Sequence, residues 1–288
     1  MTRIDIVVPI RNEAANIPHL VQRIEALNLP HDVRCACVFI EDGSSDESVD
    51  VLRNLSREKS NVDYYSMANG FGEGPAMVFG ISRSEADAII TMGGDDGSCP
   101  VDAIPEMIHL FREGAEVVQC RRKSLTGRAW YRDPSTAAFG LVVRWLTGNR
   151  IEDQNTYYRL ISRRFAREIL EMPRLWRYVR FPLPSRDSGA LKTIDVETVE
   201  RTTGNSTYSI PRLLALACDG LLAYLSWRRL AGILAVCLLG ALALGFAGYL
   251  GLAGVVALAA AAMLYRFLYL GRTNYLSRLV VVESSRPG

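Results

Sequence analysis

Three short polar segments contain most of the chemically useful side chains of this 288-residue chain. They are Pro9-Ile10-Arg11-Asn12-Glu13, Glu41-Asp42-Gly43-Ser44-Ser45-Asp46 and Gly93-Gly94-Asp95-Asp96. Amide and carboxylate groups can hydrogen-bond the base or ribose of a nucleotide, and hard carboxylate oxygens suit Mg²⁺ or Mn²⁺. The first two segments therefore predict nucleotide-binding loops, and Asp95 and Asp96 predict a site for a divalent cation that could bridge to a diphosphate.

Each of the two nucleotide-binding segments also has an ordinary structural interpretation. Asn12 could cap a following helix, and the segment that begins at Glu41 could be a capped turn in which Gly43 allows a tight bend. Both segments follow consecutive predicted strands of one sheet. Their combination therefore favours a ligand site more strongly than either segment alone.

Short apolar runs alternate with longer periodic segments, and this pattern predicts the strands and helices that position these loops. The pattern predicts strands at 4–10, 34–41, 63–67, 88–92 and 116–120, and helices at 17–27, 48–59, 75–84 and 104–112. After Arg121 it predicts helices at 135–146 and 163–170 and a strand at 192–200. The fold class is therefore α/β, a mainly parallel sheet flanked by helices, with ligand-binding loops at the carboxyl ends of the strands.

Residues 230–270 contain a single charged side chain, Arg266, and are long enough for two membrane-spanning helices of about 20 residues each. The glycines at 248, 251 and 254 predict the turn between them. Arginines flank both ends of the segment, which predicts an inner-membrane hairpin with both chain termini in the cytoplasm. A buried hairpin of a soluble protein is the alternative.

The segment before the hairpin, 211–227, is rich in leucine and ends in Trp227, which Arg228 and Arg229 follow; this predicts an interfacial helix, and a core helix of the soluble domain is the alternative. The predicted units are a catalytic domain at 1–210, an interfacial helix at 211–229, the hairpin at 230–271 and a cytoplasmic tail at 272–288. No signal peptide is recognised at the start of the chain. The formal net charge of +2 without a long basic run excludes nucleic acid as a partner, and the cysteine spacing predicts reduced, structural thiols.

Five segments in order resemble the inverting family 2 glycosyltransferases with a GT-A fold, in particular polyprenyl-phosphate sugar transferases of the dolichyl-phosphate mannose synthase type. Two are Val7-Val8-Pro9-Ile10-Arg11-Asn12-Glu13 and the segment that begins at Glu41. The others are Asn69-Gly70-Phe71-Gly72-Glu73-Gly74-Pro75-Ala76, Asp153-Gln154-Asn155-Thr156-Tyr157-Tyr158-Arg159 and Arg201-Thr202-Thr203-Gly204-Asn205-Ser206-Thr207-Tyr208. The resemblance covers most of the chain.

This resemblance implies transfer of a sugar from a nucleoside-diphosphate donor to polyprenyl phosphate, with Mg²⁺ or Mn²⁺ and with UDP mildly preferred over GDP. The partners implied are the donor, the polyprenyl phosphate and the bilayer; a homo-oligomer is left open. The donor-binding residues implied are Pro9, Arg11, Asn12, Glu13, Asp42, Gly43, Ser44 and Gly74.

A phosphate acceptor is already anionic near neutral pH, so positioning and charge neutralisation matter more than a general base. Arginine pairs bidentately with phosphate, and several arginines follow the fifth strand. The resemblance singles out Arg122, with Arg121 as the alternative, together with Arg132, Thr136, Arg201 and Ser206, as acceptor-phosphate contacts. The predicted catalytic set is Asp95, Asp96, Asp153, Arg122 and Arg132.

The chain departs from the family pattern chiefly in the metal loop, where glycine stands in place of the first aspartate of Asp-x-Asp. Asp153 would orient the donor sugar or an arginine if the acceptor is a phosphate, would act as general base if it is a hydroxyl, or would cap a turn. Two rival functions therefore stay open. One is a membrane glycosyltransferase that acts on a hydroxyl of a lipid or glycan, and the other is a non-catalytic nucleotide-sugar-binding partner of a membrane complex.

Overall fold

The computed structural model describes residues 1–94, 100–123, 141, 155–171, 191–197, 227–272 and 281–286. Its strands are β1 (Thr2–Ile10), β2 (Val33–Glu41), β3 (Val62–Met67), β4 (Ala88–Thr91), β5 (Val117–Lys123), β6 (Asn155–Ser162), β7 (Leu191–Glu197) and β8 (Val281–Ser284). Its helices are α1 (Asn16–Glu25), α2 (Ser48–Glu58), α3 (Glu73–Arg83), α4 (Ile104–Arg112), α5 (Arg163–Glu171), α6 (Trp227–Phe246) and α7 (Leu250–Arg272). A 3₁₀ turn, Val101–Ala103, precedes α4.

The strands form one mixed sheet in the order β7-β5-β6-β4-β1-β2-β3-β8. Strands β4, β1, β2 and β3 are parallel neighbours, so their carboxyl ends lie along one edge of the sheet. The strand β6 runs antiparallel between β4 and β5, and β8 runs antiparallel to β3. The strand β7 extends the sheet parallel to β5. We call the edge at the carboxyl ends of β1 to β4 the loop edge.

Apolar side chains cover both faces of the sheet. One core contains Ile4, Ile6, Val8 and Ile10 of β1 with the buried sides of α1, α2 and α4. The other contains Val7 of the same strand with the buried sides of α3 and α5. Alternate residues of a strand point to opposite faces, so a central strand with helices on both sides is apolar along its whole length. These two cores fix the strands and therefore the loop edge.

The predicted strands and helices before residue 121 are confirmed, with ends that differ by a few residues. The helix predicted at 163–170 and the strand predicted from 192 are also found. The helix predicted at 135–146 lies outside the described residues apart from position 141, which is helical. The sequence analysis missed β6 and β8, which are the two strands that run antiparallel to their neighbours.

The helices α6 and α7 are long and apolar enough to cross a membrane, over Arg228–Phe246 and Leu250–Leu268. Only 6% of each of these windows is buried, so the packing does not fit a soluble core hairpin. The turn between them is formed at Gly248, whose φ of 81° is the left-handed conformation that glycine tolerates. The other two glycines of the predicted turn lie inside α7.

Candidate active site

The loops after β1 and β2 are joined side by side at the loop edge. The backbone N–H of Asn12 donates to Ser44 Oγ at 3.0 Å, and Asn12 Oδ1 accepts from the N–H of Ser45 at 2.8 Å. One turn further on, the N–H of Glu13 donates to Ser48 Oγ at 3.1 Å. These bonds hold the two predicted nucleotide-binding segments in one fixed arrangement.

Asn12 is the one described non-glycine residue with a positive φ, at 57°. Asparagine is among the residues that adopt this left-handed conformation at low energy. The alternative that Asn12 caps α1 is wrong, because the capping position is Ala15 and no side chain caps the helix. The second loop does contain a turn of the capping kind, since Asp46 Oδ1 accepts from the N–H of Ser48 at 3.0 Å.

Two neighbouring carboxylates at the end of β2 hold the loops in place by accepting hydrogen bonds from them. Glu41 is buried and accepts from Ser66 Oγ at 2.6 Å and from the backbone N–H of Ser44. Asp42 is also buried, and its two oxygens accept from the N–H groups of Phe71 at 2.6 Å and Gly72 at 2.7 Å. Asp42 therefore ties the glycine-rich segment after β3 to the loop after β2.

Burial raises the pKa of Asp42, and the hydrogen bonds from Phe71 and Gly72 and the nearby charge of Arg11 oppose that rise. Since each carboxylate oxygen has a second lone pair, Asp42 can still accept a hydrogen bond from a ligand. The exposed Arg11 lies over the same segment, because a Cβ added to Gly70 would be 2.9 Å from Arg11 Nη1.

Glycines allow the loops to approach one another this closely. A Cβ on Gly43, whose φ is 69°, would lie 2.7 Å from the backbone nitrogen of Gly70. A Cβ on Gly94, just before the predicted metal loop, would lie 2.8 Å from Ile10 Cγ2 and 3.3 Å from Pro9 O. The loops after β1, β2, β3 and β4 therefore meet, and Gly74 lies in the first turn of α3 beside them.

On the other side of β4, the antiparallel strand β6 brings its amino end to the loop edge, where Asn155 pairs with Arg121. Arg121 is held by Asp195, with Nε and Nη2 at 2.6 and 3.0 Å from its carboxylate oxygens. The backbone of Arg122, the next residue of β5, pairs with Val196 of β7.

The sequence analysis did not include Arg159 among the site residues. Its side chain is only 1% exposed, and its backbone pairs with Thr91 at the end of β4 and with Gln119 of β5. The structure thus places a buried arginine beside the strand that leads into the acidic loop. Arg159 is the last residue of the family segment that begins at Asp153, and this position was the sequence signal that could have identified it.

Several predicted site residues lie outside the described residues: Asp95, Asp96, Arg132, Thr136, Asp153, Arg201 and Ser206. Their roles stay predictions, as do the donor contacts of the described loop residues. Within the part of the chain that the structure describes, no group of three or more histidine, cysteine or acidic side chains could hold a metal ion. Burial raises the pKa of Cys35 to about 12, which disfavours the thiolate that a metal would require.

A mixed sheet between helical layers, with ligand loops joined at the carboxyl ends of its parallel strands, is the architecture of GT-A glycosyltransferases. A solved structure of mannosyl-3-phosphoglycerate synthase from Rubrobacter xylanophilus shares this fold, with a TM-score of 0.52 at 14% identity over 77% of this chain and 72% of that one. A Mycobacterium tuberculosis glucosyl-3-phosphoglycerate synthase in complex with Mn²⁺, UDP-glucose and phosphoglyceric acid gives 0.50 at 14% identity, over 77% and 80% of the two chains.

The chain belongs to glycosyl transferase family 2, whose profile it matches over residues 5–171. It is 31% identical over 220 residues to the undecaprenyl-phosphate 4-deoxy-4-formamido-L-arabinose transferase of Pseudomonas syringae pv. syringae (strain B728a). That alignment covers 75% of this chain and 64% of the relative. The chain thus spans slightly less than two thirds of the length of this relative and of a similar transferase from Pseudomonas aeruginosa (strain LESB58).

Proposed function

We propose that the chain is a membrane-anchored glycosyltransferase that transfers a sugar from a nucleoside-diphosphate donor to polyprenyl phosphate. The observation that carries this proposal is the fixed arrangement of the loops after β1, β2 and β3, which presents amide, carboxylate and backbone groups at one edge of the sheet. The undecaprenyl-phosphate transferases among its relatives support the acceptor class.

In this proposal the donor nucleotide lies on the joined loops. Glu13 and Asp42 provide hydrogen-bond acceptors for its base and ribose, Asn12 provides the donor Nδ2 because its Oδ1 already accepts from Ser45, and the main chain at Gly43 and Ser44 lets the nucleotide approach closely. Because these loops are already bonded to one another, little loop ordering is required when the donor binds. Pro9, Arg11 and Gly74 complete the donor site.

The acceptor phosphate approaches the anomeric carbon in line with the departing diphosphate, and arginines offset the charge. We propose Arg122 and Arg132 for this role, with Thr136, Arg201 and Ser206 as further phosphate contacts. The bidentate pairing of Arg121 with Asp195 favours Arg122 as the strand arginine that contacts phosphate, since the guanidinium of Arg121 is already engaged.

We propose Asp95 and Asp96 as the residues that hold Mg²⁺ or Mn²⁺. A divalent cation at this point would stabilise the negative charge that develops on the leaving diphosphate. The fold neighbour that binds Mn²⁺ with UDP-glucose supports a metal in this fold and a mild preference for UDP. With or without a metal, the site must exclude water, because water would compete with the acceptor for the donor sugar.

The helices α6 and α7 form the membrane anchor in this proposal. The strand β8 lies beyond both helices and pairs with β3, so the two ends of the hairpin lie on one side of the bilayer if both helices span it. We assign that side to the cytoplasm of the inner membrane, because arginines flank both ends. A homo-oligomer is compatible with this arrangement.

The test is sugar transfer into organic-extractable lipid from a panel of radiolabelled UDP- and GDP-sugars, with and without Mn²⁺. Membranes would contain the wild type, the double variant Asp95→Ala/Asp96→Ala, or the control Asp32→Ala. Asp32 precedes β2 and therefore lies at the opposite end of the sheet. We expect metal-dependent, acid-labile labelled lipid that the double variant loses and the control keeps. No labelled lipid from any donor in wild-type membranes would refute the proposal.

A hydroxyl acceptor is the second candidate, because the antiparallel course of β6 brings Asn155, which follows Asp153 by two positions in the sequence, to the loop edge. Asp153→Asn distinguishes the two reactions. A hydroxyl acceptor needs a general base, which contributes about 10²–10⁴-fold to the rate, whereas an anionic phosphate acceptor does not. A decrease of that size in kcat with an unchanged donor affinity would favour the hydroxyl acceptor.

A further inference from the structure

The last described segment of the chain returns from the hairpin and joins the sheet of the N-terminal domain. The strand β8 pairs antiparallel with β3, with Val281 opposite Met67 and Ser284 opposite Tyr65. Met67 is the last residue of β3, so β8 enters the sheet at the loop edge and runs away from it. We call residues 281–286 the tail clasp.

Glu283 of the tail clasp forms an ion pair and hydrogen bonds with α2 and β3. Glu283 accepts from Arg53 of α2, with Nε at 2.7 Å and Nη2 at 2.6 Å, and also from the hydroxyl of Tyr64. Ser285 continues the pairing, because its N–H donates to Tyr64 O at 3.1 Å and its Oγ accepts from the N–H of Tyr64 at 2.9 Å. The clasp thus bonds to both β3 and the helix that precedes it.

The end of the tail clasp reaches a buried charge in the centre of the sheet. Arg286 donates from Nε to Asp63 at 2.7 Å, and its Nη1 and Nη2 lie 3.2 and 3.4 Å from the carboxylate oxygens of Asp5. Asp5 is a β1 residue with 1% of its side chain exposed. Burying a carboxylate is unfavourable unless it is paired, so Arg286 makes the domain dependent on the tail.

Two connections link the sheet to the hairpin, one before α6 and one after α7. Their lengths show which of them limits the distance between the domain and the hairpin. From Arg272 at the end of α7 to Val281 there are nine residue steps (281 − 272), which span at most about 30 Å when fully extended. From Glu197 at the end of β7 to Trp227 there are thirty steps (227 − 197), which could span about 100 Å. The connection through the tail clasp is therefore the short tether.

We infer that the tail clasp is a positioning device that keeps the loop edge of the catalytic domain within about 30 Å of the membrane end of α7, where a lipid-borne phosphate can be reached. The inference rests on the proposed function, because it requires a membrane anchor and a lipid acceptor. Arg286, Glu283 and Arg53 act as positioning residues that contact neither donor nor acceptor. They raise the effective concentration of the site at the bilayer surface.

Lengthening the tether while leaving the clasp intact tests this inference. We would insert about 10 or about 20 Gly/Ser residues between Leu276 and Ser277, since such linkers behave as flexible coils. The matched control carries the same residues between Pro287 and Gly288, beyond the clasp. Each protein would be reconstituted in vesicles that contain undecaprenyl phosphate and would also be assayed with a short-chain, water-soluble isoprenyl phosphate.

We expect the insertion to reduce transfer to undecaprenyl phosphate several-fold, and more for the longer insert. Nucleotide affinity and transfer to the soluble acceptor should match the control. Equal transfer to undecaprenyl phosphate by the inserted and control proteins would overturn the inference. Failure of the wild type with both isoprenyl phosphates would instead refute the proposed function, so the two failures are distinguishable.

A charge swap tests the clasp directly. Glu283→Lys faces Arg53 with a like charge and should release the tail, whereas the swap Arg53→Glu/Glu283→Lys restores opposite charges; it is made together with Asp50→Asn, because Arg53 also pairs with Asp50. Glu25→Lys, which breaks a pair with Lys59 of similar exposure, is the matched control. We expect the single clasp variant alone to lose lipid transfer while keeping transfer to the soluble acceptor, and the swap to recover it. A loss that the swap does not recover, or an equal loss in the control, would contradict this role.

Discussion

Removing the guanidinium of Arg286 would leave Asp5 buried in the central strand without its counter-charge. Only one polar contact would remain for that carboxylate among the described residues, the hydroxyl of Ser84 at 2.7 Å from Asp5 Oδ2. Asp63 would also lose its bond to Arg286 Nε, but its side chain is 22% exposed and can be hydrated. Most of the destabilisation by Arg286→Ala should therefore come from Asp5.

The expected magnitude follows from the burial of the two partners. Removing one partner of a buried ion pair costs about 3–5 kcal/mol. Arg286 keeps 19% of its side chain exposed and Asp5 keeps the Ser84 bond, so we expect a cost at or just below the lower limit of that range, about 2–3 kcal/mol. For a domain of this size each kcal/mol lowers Tm by about 2–4 °C, which gives a decrease of about 4–12 °C.

The assay is thermal unfolding of the detergent-solubilised full chain at neutral pH, followed by intrinsic fluorescence. Lys59→Ala is the control, because it breaks an exposed ion pair with Glu25 that should contribute less than about 1 kcal/mol. Asp5→Asn/Arg286→Ala should be more stable than the sum of the single variants predicts, since the residues interact directly. A Tm for Arg286→Ala equal to that of Lys59→Ala, or additive effects in the double variant, would refute this reasoning.

Three further outcomes are expected. Gly43→Ala should weaken nucleotide binding about tenfold or more in a calorimetric titration, because its φ is 69° and the new Cβ would lie 2.7 Å from the nitrogen of Gly70; an unchanged affinity would contradict the close packing of the loops. Gly80→Ala should destabilise the domain by about 1–3 kcal/mol in urea unfolding without a specific loss of nucleotide affinity, because the Cβ would lie 2.3 Å from Val7 Cγ1. Bonds from Arg53 and the hydroxyl of Tyr64 lower the pKa of Glu283 from 4.5 to about 2, so its contribution to stability is present above pH 4.5 and is lost as the pH falls towards 2; Glu283→Gln should flatten the stability profile across that window, and an unchanged profile would contradict the assignment.

The first half of the fold could be predicted because its signals are local. Apolar runs such as 4–10 followed by amphipathic segments identify the strands and helices, and parallel strands must carry their loops on one edge. For the loops after β1 and β2, the sequence predicted only that they lie near each other. The hydrogen bonds that Ser45 donates to Asn12 and that Phe71 donates to Asp42 depend on tertiary placement, which no spacing in the sequence encodes.

The antiparallel strands were missed for a physical reason. Residues 155–162 are a short mixed polar and apolar run, and nothing local shows that the strand enters the sheet between β4 and β5. The tail was predicted as a cytoplasmic extension because 281–284 is a four-residue run whose partner lies more than 200 positions earlier in the chain. The contacts that accompany this pairing, with the buried Asp5 and with the edge of β3, are distant in sequence from the tail.

The order in which the ribosome makes these elements gives the tail clasp a further consequence. The strand β3 ends at Met67 and β8 begins at Val281, so about 200 residues are synthesised between the two partners, including both apolar helices. At about 5–20 residues per second the domain waits roughly 10–40 s with the edge of β3 unpaired and Asp5 without Arg286. The catalytic domain can therefore complete its sheet only after the hairpin has left the ribosome. A fully folded domain is thus present only in chains whose membrane segment has already been synthesised.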